Sequence, residues 1–268
     1  MMVDVQTFVS LGEAASALSA NRGARFFAGG TLVMRALNEG DQSITSIVRT
    51  TDPTFRQIQS QGDRIVIGAG VTMSQILGSR ELDFLHPVAR LVGGPAVRNM
   101  ATVGGNLFAL HPYGELTTAL LACEATVAVA GGYSAREMPL ADLLRDRDRE
   151  PAQLVASVTV QRPRDPTGFR FLKATRVKPK GISILSIAAA TNGRSTRVAY
   201  NGMAPTPIRA LAVERALEGK ILDAAGIAPA LAVAAEGTSP ADDAIASAWY
   251  RREVLPVHLK RLLLGETA

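Results

Sequence analysis

The chain has 268 residues, 47% hydrophobic and 20% charged, with a formal net charge of +5. This is the composition of a globular protein with one large domain or two ordinary ones. Its single cysteine excludes a disulfide framework, a cysteine-ligated zinc site and an iron–sulfur cluster held by this chain alone. The sequence has no eighteen-residue apolar run and no basic, apolar leader, so we expect a cytoplasmic protein without a membrane span or signal peptide.

The basic residues do not indicate a nucleic-acid-binding protein. They are scattered, the densest run at 145–149 alternates with aspartates, and aromatic residues amount to only 5%. Platforms that stack nucleic-acid bases need aromatic side chains beside basic clusters. We therefore expect a solvated surface of mixed charge, with a basic face toward an acidic partner subunit as the alternative.

The hydrophobic pattern of the first 160 residues predicts alternating short helices and strands. Asp52-Pro53 and Gly93-Gly94-Pro95 are expected to break the chain between elements, and Thr72 is the expected N-cap of one helix. The predicted helices are 11–20, 72–77, 86–92 and 117–123, and residues 32–37 are predicted to start a further helix. The predicted strands are 25–28, 43–48, 64–70, 125–130 and 154–160.

A proline-bracketed stretch, residues 162–166, marks the predicted boundary of a C-terminal domain. Beyond it we predict strands first and helices afterwards, which is typical of an α+β layer with an antiparallel sheet. The predicted strands are 169–175, 183–190 and 197–200, followed by a loop at 201–207. The predicted helices are 211–217, 229–236 and 244–264, the last one broken near Pro256.

Two glycine-rich segments are the main functional signal. We call residues 28–33 (Ala-Gly-Gly-Thr-Leu-Val) the first glycine loop and residues 101–106 (Ala-Thr-Val-Gly-Gly-Asn) the second glycine loop. Paired glycines permit positive φ and let backbone N–H groups approach a bulky anion, and the helix expected after the first loop directs its N-terminus at a phosphate. We predict a pyrophosphate held between two lobes. The alternatives are an ordinary strand–helix turn at the first loop and a β-bulge at the second.

Sets of residues that would perform catalysis by themselves are missing from the sequence. His86, His111 and His258 lack the spacing of metal ligands, and the sequence has neither a nucleophile elbow nor a P-loop. The segment 68–73 lacks the third glycine of a dinucleotide fingerprint. Cys123 is expected to be a buried hydrophobic residue. We predict no catalytic residue and no metal ligand, so a bound cofactor would carry the chemistry.

Four segments in order resemble the FAD-binding (medium) subunit of the molybdenum hydroxylase family, of the xanthine dehydrogenase and carbon monoxide dehydrogenase type. The second glycine loop with its flanks is the most specific of them, and Pro112 and Glu115 fit the segment that follows it. The four segments are residues 28–31, 97–107, 204–210 and 246–252.

The resemblance implies a fold and its division into domains. It implies an α+β chain with a two-lobed PCMH-type (vanillyl-alcohol-oxidase-like) FAD-binding domain at residues 1–164, with lobes of about 1–51 and 52–164. Residues 165–268 would form a small α+β C-terminal domain of the carbon monoxide dehydrogenase flavoprotein type, with an antiparallel sheet.

The resemblance also implies which residues contact FAD. The pyrophosphate would lie against both glycine loops, Glu115 would replace a family aspartate that bonds the sugar portion, and Lys173 would lie near the flavin, where a cation stabilises the anionic reduced form. The implied FAD-binding residues are Phe27, Ala28, Gly29, Gly30, Thr31, Leu32, Val33, Ala101, Thr102, Val103, Gly104, Gly105, Asn106, Glu115, Val155 and Lys173. The alternative for Lys173 is a surface lysine on a strand.

Several neighbouring residues carry secondary expectations. Arg98 is expected to brace the second glycine loop. His111 and Tyr113 are expected either to shape access to the flavin or to lie on a solvated loop. Trp249 and Tyr250 are expected to pack between the last helix and the domain body.

The function that the resemblance implies is electron transfer. A separate large subunit would hold the molybdenum cofactor, a separate small subunit would carry two [2Fe-2S] clusters, and electrons would pass through FAD on this chain to an external acceptor. We expect a heterotrimer, with two heterotrimers forming a dimer. The alternatives are a free-standing FAD oxidase, and a non-catalytic assembly or interaction protein that has kept the fold and lost FAD.

Overall fold

The computed structural model describes residues 3–131, 134–147, 153–163, 165–177 and 181–266. The helices are α1 (Leu11–Ala20), α2 (Val33–Asn38), α3 (Met73–Gly78), α4 (His86–Leu91), α5 (Pro95–Met100), α6 (Val103–Leu107), α7 (Glu115–Ala122), α8 (Leu140–Asp146), α9 (Leu211–Leu217), α10 (Ala228–Ala232) and α11 (Ala248–Leu264). The strands are β1 (Asp4–Phe8), β2 (Ala24–Phe26), β3 (Ser46–Thr50), β4 (Ile58–Gln61), β5 (Arg64–Gly68), β6 (Thr126–Gly131), β7 (Ser134–Pro139), β8 (Leu154–Gln161), β9 (Phe169–Thr175), β10 (Ser183–Asn192), β11 (Ser195–Asn201) and β12 (Ile208–Arg209). Short 3-10 helices cover Pro53–Arg56, Arg80–Leu85 and Pro166–Gly168. Within these described ranges, no helix is long and apolar enough to cross a bilayer.

The chain forms two units. The first contains the described residues of 3–81, 93–109 and 125–161, and the second contains those of 82–92, 110–124 and 162–266. The division into domains at residues 164 and 165 stays a prediction, and residue 164 lies outside the described residues. The two units differ from that division because two short segments, 82–92 and 110–124, group with the C-terminal part of the chain.

The first unit contains two sheets. Strands β1, β3 and β2 form a parallel sheet in that order, and β4-β5-β8-β6-β7 form an antiparallel one. Helix α1 packs on both sheets, burying small alanines such as Ala14 and Ala15 together with Leu18 against Val48 and Leu154. Small side chains let the helix approach the strands closely, which stabilises this layer by burying apolar surface.

The second unit is an antiparallel sheet covered by helices. The sheet order is β12-β11-β10-β9, and the predicted α+β arrangement of this part is confirmed. Strand β10 is buried over most of its length, because α7 and α11 both pack on it. Its core includes Leu185, Ile187, Val198, Leu255 and Leu259.

Two predicted elements in the C-terminal part are wrong in extent. The last helix is not broken near Pro256: α11 continues to Leu264, because Leu255 before the proline and Leu259 after it are both fully buried. Burial on both sides outweighs the backbone hydrogen bond that a proline cannot make. Helix α10 covers Ala228–Ala232, so it starts one residue before the predicted 229–236 and ends four residues before its end.

Of three predictions near the glycine loops, two are corrected in detail and one is confirmed. Gly93 and Gly94 do end a helix, but α5 begins directly at Pro95, which suits the first position of a helix. Strand β3 covers Ser46–Thr50 rather than 43–48, because its partners are β1 and β2. The expected helix cap Thr72 is confirmed: its hydroxyl and the Gln75 side chain form a reciprocal capping box at α3.

Candidate functional site

The first glycine loop connects β2 to α2. The ladder ends where Phe27 N–H donates to Val48 O at 2.7 Å, and α2 starts where Met34 N–H donates to Gly30 O at 2.9 Å. Gly30 has φ +71°, and a Cβ there would lie 2.3 Å from the Phe27 ring. Only glycine satisfies both conditions, so the predicted turn has a physical basis at this position.

Five consecutive N–H groups of this turn have no acceptor inside the described part of the chain. They belong to residues 29–33, which precede the first helical hydrogen bonds of α2. The residue before α2, Leu32, supplies no side-chain cap, and Thr31 and Leu32 are exposed. Adjacent unpaired N–H groups at a left-handed turn and a helix start attract anions. The segment is therefore suited to a phosphate group.

The two glycine loops are in direct contact within the first unit. A Cβ on Gly29 would lie 1.7 Å from Met100 O and 3.2 Å from Thr102 Cγ2. No other residue fits between these atoms, so Gly29 allows the first loop to lie directly on the start of the second. The structure therefore brings together the two segments that the sequence singled out.

The second glycine loop is helical, and its backbone is hydrogen-bonded internally. Val103 N–H donates to Val71 O at 2.9 Å and Gly104 N–H donates to Ala69 O at 2.7 Å. Thr102 caps α6, its Oγ1 accepting from Gly105 N–H at 3.1 Å. The β-bulge alternative is therefore wrong. A Cβ on Gly104 would lie 2.9 Å from that of Ala69, so this glycine is needed for close packing against residues 69–71.

Gly105 is the open position of the second glycine loop. It is exposed, whereas Ala101, Thr102, Val103, Gly104 and Asn106 are buried. A Cβ on Gly105 would have only Thr102 Oγ1 near it, at 3.0 Å. This bare backbone surface beside the first loop gives a ligand room to approach. Arg98, expected to brace the loop or a carboxylate, donates from Nη1 to Gly93 O at 2.7 Å, just before α5.

The second unit contains two further predicted residues in a buried ion pair. Lys173 Nζ on β9 lies 2.7 Å from Glu115 Oε1 at the start of α7, and the two side chains are 8% and 4% exposed. Lys173 also donates to Leu91 O at 3.2 Å. The alternative of a surface lysine is therefore wrong. Each charge compensates the other, and a buried pair of this kind is costly to break.

His111 belongs to a charged network of the second unit. Its Nε2 lies 2.9 Å from Asp243 Oδ2 and 3.2 Å from Arg251 Nη2, and Arg251 is fully buried. Burial would raise the pKa of Asp243, but backbone N–H donors and the Arg251 guanidinium outweigh it and hold the pKa at about 2. The network fixes the loop that contains His111, whereas Tyr113 is exposed.

The structure also describes Cys123, Val155, Arg147 and the pair Trp249 and Tyr250. Cys123 is half-buried rather than fully buried, and burial of its thiol raises the pKa to about 12, so the thiol is protonated at neutral pH. Val155 is buried in β8 at 2% exposure. Trp249 and Tyr250 do not pack on the domain body, being 67% and 42% exposed on α11. Arg147, in the run expected to be solvated, is only 5% exposed.

The fold is a two-unit α+β chain, and its first unit presents backbone N–H groups that have no acceptor among the described residues. These features define a class of protein that binds a phosphate-bearing cofactor. Comparison with known families then identifies it. Residues 1–163 match the FAD binding domain in molybdopterin dehydrogenase, and residues 170–265 match the CO dehydrogenase flavoprotein C-terminal domain. The chain belongs to this flavoprotein family.

Individual relatives agree with the family. The chain is similar to the glyceraldehyde dehydrogenase medium chain of Sulfolobus acidocaldarius, at 26% identity over 92% of each chain. It is also similar to the carbon monoxide dehydrogenase medium chain of Afipia carboxidovorans, at 26% identity over 76% of this chain and 75% of the relative. The structure of reconstituted CO dehydrogenase from Oligotropha carboxidovorans superposes with a TM-score of 0.84, at 24% identity over 100% and 99% of the two chains.

These comparisons confirm the predicted family, α+β fold and FAD cofactor. As a member of this family the chain is an FAD-binding, electron-transfer flavoprotein subunit of a molybdenum-containing oxidoreductase. The free-standing oxidase is not supported, since the relatives are medium chains of larger enzymes. The two glycine loops were found from the sequence. The lack of an acceptor for the N–H groups of residues 29–33, among the described residues, was not found from the sequence, because it depends on the positions of all nearby acceptors.

Proposed function

We propose that the first glycine loop binds the FAD pyrophosphate through the N–H groups of residues 29–33, with the bare surface of Gly105 beside it. The single observation that supports this proposal is the run of five N–H groups without an acceptor among the described residues. Residues 101–104 and 106 are buried, and Thr102 among them supports the first loop through its close approach to Gly29. Bound FAD supplies the electron-transfer chemistry, and the chain binds and orients it.

The two buried partners of the second unit keep a predicted role toward the flavin. Because Glu115 Oε1 neutralises Lys173 Nζ at 2.7 Å, the pair would stabilise a reduced anionic flavin less than a free lysine would. Val155 is buried, so any flavin contact at that position would involve its backbone. These three residues remain predicted contacts.

We propose that the chain works in a cytoplasmic heterotrimer, two of which form a dimer. Electrons would enter from [2Fe-2S] clusters on a small partner subunit and leave to an external acceptor, while a large partner subunit holds the molybdenum cofactor. Two facts support this assembly. The relatives are called medium chains, and one cysteine cannot ligate a cluster by itself. We further propose that residues 1–164 form the FAD domain and 165–268 the C-terminal domain.

The proposal is tested by cofactor content and binding. The purified chain should show flavin absorption and release about one FAD per chain on denaturation. FAD should bind far more tightly than riboflavin, which lacks phosphate. A folded chain that cannot be loaded with FAD, alone or with its partner subunits, would contradict the proposal and favour the assembly-protein alternative.

A matched pair of variants localises the binding. Gly105→Trp covers the open surface of the second glycine loop and should abolish FAD binding. Gly78→Trp is the control, since Gly78 is also an exposed glycine of the first unit, and a Cβ there meets nothing within 4 Å. The control should bind FAD normally. Equal affinity of the two variants would show that FAD binds elsewhere.

A further inference from the structure

Arg147 is a buried arginine at the end of α8. It is 5% exposed, and its Nη1 donates to Leu107 O at 2.8 Å and to Ala109 O at 3.3 Å. Both carbonyls lie at or just beyond the C-terminal end of α6. Burying a guanidinium is unfavourable unless it is well hydrogen-bonded. The bonds to these two carbonyls therefore offset the burial of Arg147 and tie it to the end of α6.

Helix α6 needs support at both ends. It has only five residues, and isolated helices of this length are unstable in water. Its start is capped by Thr102 Oγ1. The last carbonyls of a helix receive no hydrogen bond from N–H groups of the same helix, and they carry partial negative charge. A cation that donates to them therefore stabilises that end. Arg147 supplies this interaction from a separate element, about forty residues later in the sequence.

The consequence of this contact reaches the first glycine loop. Helix α6 carries the open Gly105, and the segment that begins it carries Thr102, against which Gly29 packs. We propose that Arg147 is a positioning residue for cofactor binding: it fixes α6 so that Gly105 stays open and Gly29 keeps its support. It does so without touching FAD. This inference rests on the proposed function and adds the residue that keeps the second glycine loop in shape.

The test compares four variants of the full chain by FAD titration. Arg147→Met removes the donors and keeps an unbranched chain in place of the apolar stem of arginine, and Arg147→Lys restores a positive donor. Arg145→Met is the control on the same helix, because Arg145 is exposed and its partners among the described residues, Asp142 and Asp146, are also on α8. Leu143→Ala is the stability control, because Leu143 is buried on α8.

We expect Arg147→Met to weaken FAD binding at least tenfold and Arg147→Lys to recover part of that loss. Arg145→Met and Leu143→Ala should stay within about twofold of the unchanged chain, although Leu143→Ala lowers the melting temperature. Arg147→Met binding FAD as tightly as the unchanged chain would overturn the inference. So would an equal loss of affinity in Leu143→Ala, because global stability would then explain both.

Amide hydrogen exchange without FAD separates this inference from the proposed function. Arg147→Met should speed exchange at residues 103–106 relative to Arg145→Met, and unchanged exchange there would overturn the positioning role. If the unchanged chain itself fails to bind FAD, the proposed function fails. If it binds FAD and Arg147→Met binds equally well, only the role of Arg147 fails.

Discussion

Replacing Thr31 with glutamate would place a carboxylate among the unpaired N–H groups of the first glycine loop. Thr31 is exposed, so the larger side chain fits without displacing the core. The new charge lies just before α2, where a carboxylate interacts favourably with the helix dipole by about 0.3–1 kcal/mol. The free energy of unfolding should therefore stay the same or rise slightly, whereas an anionic ligand would be repelled.

The size of the repulsion follows from Coulomb's law. Two unit charges about 6 Å apart interact by about 0.7 kcal/mol in bulk water and by about 2.8 kcal/mol at an effective dielectric constant of 20. Because Thr31 is exposed, we take about 1 kcal/mol for each of the two pyrophosphate charges. The total of about 2 kcal/mol corresponds to an affinity about 30-fold weaker.

The assay is an FAD titration of the cofactor-free chain at low and at high salt, with binding monitored by flavin fluorescence. Asn38→Glu is the matched control, since it adds the same charge to an exposed position at the other end of α2. It should bind FAD within about twofold of the unchanged chain. The deficit of Thr31→Glu should shrink at high salt, because screening weakens exposed charges. Unchanged affinity in Thr31→Glu would refute the assignment of the pyrophosphate to this turn.

Three further predictions concern the second unit. Lys173→Met should lower the free energy of unfolding in urea by about 3–5 kcal/mol, because it leaves Glu115 buried and unpaired. The double variant with Glu115→Gln should recover most of that loss. A loss under about 1 kcal/mol in Lys173→Met would contradict the burial of the pair. Tyr200→Phe should leave stability unchanged or raise it, since the buried Tyr200 hydroxyl has no partner among the described residues and burial raises its pKa; a loss above about 2 kcal/mol would reveal a bond to that hydroxyl. Asp243 has a pKa lowered to about 2 from 3.8, so its contribution to the free energy of unfolding is complete above about pH 4 and is lost as the pH falls toward 2. Acid unfolding of Asp243→Asn should therefore depend less on pH in this range. Identical acid-unfolding profiles of the two proteins would exclude this contribution.

The parts of the fold that follow from local sequence were predictable. The helix predicted over 72–77 is α3, Met73–Gly78, and Thr72 caps it because the cap and its Gln75 partner lie within one turn of each other. Strand β9 and helix α9 were predicted to the residue, since each is a short segment rich in apolar residues between turn signals. The family resemblance then supplied the order of the two domains and the cofactor.

Features that depend on distant contacts were not predictable. Strand β1 is exposed over most of its length and shows no alternation, so only its pairing with β3 reveals it. Helix α11 passes through Pro256 because the second unit packs leucines on both sides. Arg147 looked like part of a solvated charge run, and its burial depends on carbonyls about forty residues earlier.

The candidate site shows the same division. Glycines and threonines identified both loops, but their different roles depend on other segments. N–H groups of the second glycine loop donate to the carbonyls of Ala69 and Val71, about thirty residues away. The N–H groups of residues 29–33 in the first loop have no such acceptors in the part of the chain that the structure describes. A sequence pattern cannot distinguish a loop that donates to a ligand from one that donates to its own chain.

The most direct measurement is a two-dimensional amide NMR spectrum of the isotope-labelled chain during an FAD titration. Our account predicts that the proton signals of residues 29–33 move downfield and saturate at one FAD per chain, because their N–H groups gain phosphate acceptors. Those of Val103 and Gly104 should move much less, since both already donate inside the chain. Stoichiometric FAD binding that leaves residues 29–33 unmoved would contradict the account.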